Sequence, residues 1–416
     1  GGFECSTDPK FAPWILKLIA PGFEGEKLNL AVKLSRVMFL QPMFLGVSVV
    51  FSGILQSTHR FLAYALAPIF YNIGIIIGIL FFAQKFEPIG LAWGVVLGAV
   101  MHMLVQYPAA KHSGFSYKPA FSFKENSLKD MFHIIIPRSL SLILSQLNLV
   151  VLAGVASFLG SGRVSIFNFA NDLNGLILGV VAVPLGVAVF PIFASEISKK
   201  RFEEFSLIFI RTLRQLLFIM IPSATLFFVL RAQIVRLTLG YGQFDWLDTI
   251  LTIQTLGLFL IGLVFQGILA IVLRAFFALE DAKTTFWVLL FGVLISVAIA
   301  LFLGPIMDVP ALALAMSIAS IFNTVVLFAI LAKKIKTISI KALLKPVSIF
   351  VLGSVVAGFL AHYTLYFLDR FIDTHKVLHL IIQGGLAGLV GLIVYFLVLG
   401  FSGVEEYRFA VEKIKF

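Results

Sequence analysis

The sequence predicts an all-α polytopic membrane protein with about eleven transmembrane helices. Three observations carry that fold class. Of the 416 residues, 60% are hydrophobic, 44 are Phe and 13% are charged, whereas soluble domains are about half apolar and a quarter charged. The apolar residues gather in runs close to the roughly 20 residues that a bilayer core requires. The Lys and Arg behind the net charge of +11 lie in short loops between those runs, the pattern of cytoplasmic loops rather than of a nucleic-acid surface. Membrane lipids, not nucleic acid, are the expected surroundings. A single Cys5 excludes a disulfide within the chain, and the seven His lack paired helical spacing, so no metal or cofactor is expected.

The elements follow in order. Residues 14–20 are apolar but too short to span, and Pro21-Gly22-Phe23 turns the chain after them. Spans are expected at 28–56, closed by the polar loop Ser57-Thr58-His59-Arg60, at 63–82 with Pro68 and Asn72 inside, and at 90–107, a Gly/Ala-rich helix ending before Pro108. Residues 108–128, with Lys111, Lys118 and Lys124, form a polar linker. Beyond it lie spans at 129–159 and 161–191, the charged loop Ser198-Lys199-Lys200-Arg201, and spans at 204–229, 247–276, 284–303 and 310–332. A basic stretch holding Lys333, Lys334, Lys336 and Lys341 leads to a last pair at 346–368 and 378–401. The implied domains are the remainder of an N-terminal lobe at 1–110, a cytoplasmic linker at 111–128, a C-terminal lobe at 129–335, and a helix pair with a cytoplasmic tail at 336–416.

Alternating the loops places roughly eighteen Lys and Arg on one side against about eight on the other. The richer side holds Arg60, Lys111 to Lys129, Lys199 to Arg201, Arg274 with Lys283, and Lys333 to Lys345. It is the cytoplasm, and the C-terminus shares it. The chain also resembles itself. Lys17-Leu-Ile-Ala-Pro-Gly22 matches Arg236-Leu-Thr-Leu-Gly-Tyr-Gly242, Gly53-Ile-Leu-Gln56 matches Ala270-Ile-Val-Leu-Arg274, and Gly90-Leu-Ala-Trp-Gly94 matches Ala311-Leu-Ala-Leu-Ala315, each at an offset of about 220 residues. Two parallel repeats imply two pseudosymmetric six-helix lobes with a substrate site between them, working by alternating access. The second repeat is full and the first shows only its last three helices. About three more helices are therefore expected before Gly1, fourteen with the C-terminal pair.

Chemistry concentrates in two consecutive helices. Within 161–191, Asn168, Asn171, Asp172, Gly175, Gly179 and Gly186 fall within roughly a third of the helix circumference at 100° per residue. An ionisable group in a membrane helix costs a few kcal/mol and normally faces a bundle interior or a wet cavity, which points to a substrate pathway. The competing reading is hydrogen-bonding glue between helices whose glycines allow close approach. In the preceding helix Arg138, Ser141, Ser145 and Asn148 share one face. The substrate-cavity candidates are Arg138, Ser141, Ser145, Asn148, Asn168, Asn171 and Asp172. Candidates for a cytoplasmic mouth or gate are Arg60, Arg211, Arg214, Arg274, Asp281 and Lys283. Solvated helix ends, or loop packing, are the plainer roles for these. Pro68, Pro137, Pro184 and Pro222 are candidate hinges.

The stretch Ala20-Pro21-Gly22-Phe23, the run Gly53-Ile-Leu-Gln-Ser-Thr-His-Arg60-Phe61 with Ala67-Pro68 and Asn72, and Gly90-Leu-Ala with Gly98, Gln106 and Pro108 resemble the MviN/MurJ family. Pro137-Arg138-Ser139-Leu140, Ser145-Gln146-Leu147-Asn148, Pro222-Ser223-Ala224 and Arg274-Ala-Phe-Phe-Ala-Leu-Glu-Asp281-Ala-Lys283-Thr284 extend the resemblance over nearly the whole chain. It implies a flippase of the bacterial inner membrane, not an enzyme. Its substrate would be lipid II, the undecaprenyl-pyrophosphate-linked peptidoglycan precursor, moved from the cytoplasmic to the periplasmic leaflet. Cell-wall synthesis proteins are the protein partners this implies. The resemblance also implies a cationic central cavity for the pyrophosphate, which Arg suits by bidentate bonding. An arginine expected on the 161–191 helix falls on Asp172. Either a divergent subfamily, a cation held between Asp172 and the substrate, or a changed function accounts for that. A coupling ion, H⁺ or Na⁺, is the expectation attached to Asp172. The alternatives are a polysaccharide or drug exporter of the same superfamily and a degenerate, non-transporting scaffold homologue. A membrane-embedded transferase would need loop-borne acidic or His clusters, and the sequence has none.

Overall fold

The computed structural model describes residues 11–58, 60–113, 146–240, 244–371 and 376–407. Hydrocarbon offers no water to backbone N–H and C=O groups, so each pass must satisfy them within its own segment. Among the described residues every regular element is accordingly helical. Nine helical stretches among the described residues are long and apolar enough to cross a membrane. One of them reverses at Glu87 and makes two passes, and Gln146–Leu159 adds a shorter apolar helix. These account for the eleven or so passes expected. The chain forms two compact units, Gly1–Lys129 and Asp130–Phe416.

In the first unit, α1 (Phe11–Ile19) is the short apolar piece, followed by α2 (Gly25–Met38) and α3 (Gln41–Ser57). The span expected at 28–56 is present as one stretch, Gly25–Ser57, whose α-helical bonding is interrupted at Phe39-Leu40 while both residues keep right-handed helical angles. Pro42 in the first turn of α3 explains the interruption, because a helix tolerates a residue without N–H at its start and not in its interior. α4 (Phe61–Ile77) widens into a π-helical turn at Gly78–Phe82 and runs on into α5 (Ala83–His112), where Glu87, at φ 50° and ψ −140°, folds the chain back on itself. The two arms meet backbone to backbone. A methyl on Gly94 would fall 2.6 Å from the Gly78 Cα, and one on Gly98 would fall 2.5 Å from the Tyr71 carbonyl oxygen. This is small-residue packing of the kind that membrane helices use in place of a hydrophobic driving force. α3 is held to α5 by polar bonds: Gln106 Nε2 donates to Ser48 Oγ at 3.0 Å, Ser52 Oγ donates to Gln106 Oε1 at 2.8 Å, and Ser48 Oγ lies 2.7 Å from His102 Nδ1.

The second unit comprises α6 (Gln146–Leu159), α7 (Arg163–Ile177), a π-helical turn at Leu178–Ala182, α8 (Val183–Ser198), α9 (Phe202–Leu239), α10 (Trp246–Ala278), α11 (Ala282–Met307), α12 (Val309–Lys334), α13 (Lys341–Leu368) and α14 (Val377–Ser402). α10 is central, packed against α7, α8, α9 and α12. α12 bonds to it through Ser317 Oγ to the Leu258 carbonyl at 2.7 Å and Thr324 Oγ1 to the Phe265 carbonyl at 2.9 Å. α13 and α14 pack on α9, where the buried Tyr395 hydroxyl donates to the Phe218 carbonyl at 2.7 Å.

The internal repeat is visible in the backbone. The N–H of Arg60 bonds the Leu55 carbonyl and that of Asp281 bonds the Phe276 carbonyl, two turns about 220 positions apart. Arg60 lies at φ −93°, ψ 67° and Asp281 at φ −97°, ψ 66°. Glu87 and Asp308, at the same offset, share the rare pair φ 50°, ψ −140° and φ 58°, ψ −150°. The turns differ in how they are latched. Thr58 Oγ1 donates to Ser113 Oγ in the first unit, while Asp281 caps α11 and pairs with Lys334 in the second.

Two outcomes follow from this packing. Gly94→Ala lowers stability by about 1–3 kcal/mol. Gly175→Ala, whose added carbon meets nothing within 4 Å, is neutral or stabilising by up to about 1 kcal/mol. Thermal melts in detergent separate the two. At Asp281, partial burial opposes the charge, but hydrogen bonds from Lys334 and Thr284 hold the carboxyl below the usual carboxylate range. A depressed value means that the contribution is full above the ordinary pKa near 3.9 and is lost as pH falls through the folded one. Asp281→Ala should therefore cost about 1 kcal/mol at pH 7, and the gap in melting temperature should narrow on acidification. A gap that stays constant with pH contradicts this assignment.

Candidate functional site

The organising feature is the continuous helix α7–α8. Its predicted stripe divides when the neighbours are in place. Asn168 and Asp172 are exposed on the surface of the second unit and Asn171 is half-buried. Asn174, one position outside the stripe, is buried and its Nδ2 donates to Gln266 Oε1 of α10 at 3.1 Å. One amide is thus glue, and it fixes the rotation of α7 against α10. The exposed face carries Asn168 and Asp172 on its first turns and continues through Leu176, Val180, Val183 and Val187.

Two clamps hold this helix. Arg163, the first residue of α7, pairs with Asp308 at 2.9 Å and lies 3.9 Å from Asp248, tying together the starts of α7, α10 and α12. At the other end, the Arg274 side chain lies across Gly186 of α8, where a methyl would fall 2.6 Å from Arg274 Cδ, and Arg274 Nη1 donates to the Ala270 carbonyl at 2.8 Å. Between the clamps sits the wide turn Leu178–Ala182. Pro184 explains it: without an N–H, Pro184 leaves the Val180 carbonyl unbonded in the α pattern. Such turns are frequent at functional sites.

The other candidates lie apart. Asn148 accepts from the buried Ser296 Oγ of α11 at 2.5 Å, an interhelical bond. Arg138, Ser141 and Ser145 fall outside the described residues. Arg60 and Lys283 are exposed at the turn end of their helices, and Arg211 is exposed in the first third of α9. Arg214 reaches the segment after α14, with its Nε 2.6 Å from Glu406 Oε1 and its Nη2 3.1 Å from Glu405 Oε2. Asp281 is engaged by Lys334 and Thr284. The structure therefore joins Asn168, Asn171 and Asp172 on one helix, seats Arg274 on its far half, and leaves the other candidates among the described residues as turn, surface or packing residues. Sequence reasoning missed Arg163 and Gln266. Arg163 had a signal, a lone charge opening an apolar helix after Gly160-Ser161-Gly162.

The comparisons extend this picture. A family model described as "Lipid II flippase MurJ" matches residues 10–382. Among curated relatives, the "Probable lipid II flippase MurJ" of Rhizobium tropici is 29% identical over 401 residues, covering 94% of this chain and 74% of that protein. The "Lipid II flippase MurJ" of Burkholderia cenocepacia is 27% identical over 332 residues, covering 78% of this chain and 64% of its own length. Among solved structures, "Lipid II flippase MurJ, inward closed conformation" superposes with a TM-score of 0.76 at 26% identity, covering 97% of this chain and 80% of that one. An inward-facing multidrug resistance MATE transporter of the MOP superfamily superposes with a TM-score of 0.65 at 17% identity, covering 78% of this chain and 76% of that one, a likeness of fold alone. With the family model spanning most of its length, this multi-pass membrane chain belongs to the lipid II flippase MurJ family.

Proposed function

We propose that this chain flips lipid II, as the names of its relatives imply, and that it does so from the cytoplasmic to the periplasmic leaflet of a bacterial inner membrane, by alternating access and without making or breaking covalent bonds. The single observation that carries the mechanism is the polar face of α7, with Asn168 and Asp172 uncovered by the rest of the second unit in a helix of membrane-spanning length. Lipid-facing carboxylates are costly, so a wet path along this face is the physical reading. The wide turn at Leu178–Ala182 lets the polar half of the helix tilt against the half seated on Arg274. The excess of Lys and Arg on one set of loops supports a cytoplasmic C-terminus. Cell-wall synthesis proteins are the partners that suit such a substrate.

Asp172 gives the path its coupling. A carboxylate and a pyrophosphate repel strongly in a low-dielectric passage, and a cation between them removes the repulsion. H⁺ or Na⁺ is the candidate. Asp172→Asn should then abolish the stimulation of flipping by an ion gradient in proteoliposomes, and unchanged stimulation would rule out the role.

The path itself has a separate check. In a Cys5→Ser background, Asn168→Cys and Asp172→Cys should react with a water-soluble maleimide, while Asn174→Cys, buried against Gln266, should react at least about tenfold more slowly. Equal inertness at all three positions would move the path off this face.

A further inference from the structure

A second polar site lies away from α7. At the end of the second unit where α9 and α13 finish and α10 and α14 begin, a groove of about 560 Å³ opens among these four helices. It is lined by Arg231, Gln233, His362, Tyr366, Asp369 and Gln383, among apolar neighbours. The Arg231 guanidinium stacks on the Phe228 ring at 4.3 Å and donates to the Phe228 carbonyl, yet forms no ion pair among the described residues. Asp369 of the same groove is likewise in no ion pair there. Gln233 donates to Gln383 Oε1 at 3.5 Å, while its own Oε1 is buried with no donor among the described residues. The groove thus presents a cation able to bind an oxyanion bidentately, a carboxylate, and a buried acceptor lacking a donor.

Its depth and surroundings restrict the ligand. Tyr363, Tyr366 and Trp246 are exposed at this end, the level at which aromatic side chains mark a headgroup region. Arg370 caps the rim, 5.0 Å over the Tyr366 ring and bonded to its hydroxyl. From the groove, Tyr363, Phe359, Val355 and Leu352 run along one exposed face of α13, a continuous apolar track. A simple anion would satisfy Arg231 and leave Asp369 facing its charge. A simple cation would do the reverse. We propose that the groove binds the headgroup of a zwitterionic aminophospholipid, with its phosphate on Arg231, its ammonium taken by Asp369 and Gln233, and its acyl chains along the exposed face of α13.

The test is native mass spectrometry of the purified full chain titrated separately with phosphatidylethanolamine, phosphatidylcholine and phosphatidylglycerol of identical acyl chains. The expected result is half-saturation by phosphatidylethanolamine at a concentration at least about fivefold below the other two. Phosphatidylcholine keeps the charges but has no N–H to give Gln233, and phosphatidylglycerol has no cation. Arg231→Gln should weaken all three. Asp369→Asn should bring phosphatidylethanolamine to within about twofold of phosphatidylglycerol. Equal retention of the three lipids by the unaltered chain, or preference for phosphatidylglycerol, overturns the proposal without reliance on any variant. Displacement of the lipid by an equimolar amount of free phosphoethanolamine overturns it too, by making the soluble headgroup the ligand.

Discussion

Everything in this molecule depends on the absence of water in hydrocarbon. Backbone groups close their bonds within helices because nothing else can serve them, and helices so formed gain little from hiding one apolar surface against another. Cohesion then rests on a few close approaches and polar bonds. Gly78 against Gly94, Gly262 against Ser317, Asn148 with Ser296 and Tyr395 with Phe218 are such points. Phe359 is 69% exposed and Phe302 is 75% exposed, which would mark a sticky surface in a soluble protein. Here such side chains are the surface that lipid covers.

The number of passes was legible because composition and run length are set by the bilayer rather than by neighbours. Helix ends were less so. The run in α9 was expected to stop at Val229, where Arg231 interrupts it, but the helix continues to Leu239. An arginine near a helix end can place its head outside the apolar layer and leave the backbone undisturbed. The interruption at Phe39-Leu40 was hidden by an apolar sequence that continues through it. The repeat showed through three weak matches, two of which lie beside turns whose backbone angles recur at the same offset.

The candidate site was half legible. Periodicity put Asn168, Asn171 and Asp172 on one side of a helix, and they lie there. Periodicity does not say which neighbour covers which side, so the inward role of Asn174 depended on Gln266, 92 residues away. Arg214 is the sharper case. It was a candidate for a cytoplasmic mouth, whereas its partners are Glu405 and Glu406, 191 and 192 residues further on. Pairings at such separation leave no trace in a single sequence.

The latches of the two equivalent turns carry one more consequence. One is a contact between two uncharged hydroxyls, Thr58 and Ser113, and the other an ion pair, Asp281 with Lys334. Electrolyte screens charges near the surface and leaves neutral hydrogen bonds alone. Two turns of equivalent backbone therefore feel their solution differently. Raising the ionic strength loosens one turn and not its twin, so the symmetry of the backbone does not extend to its response.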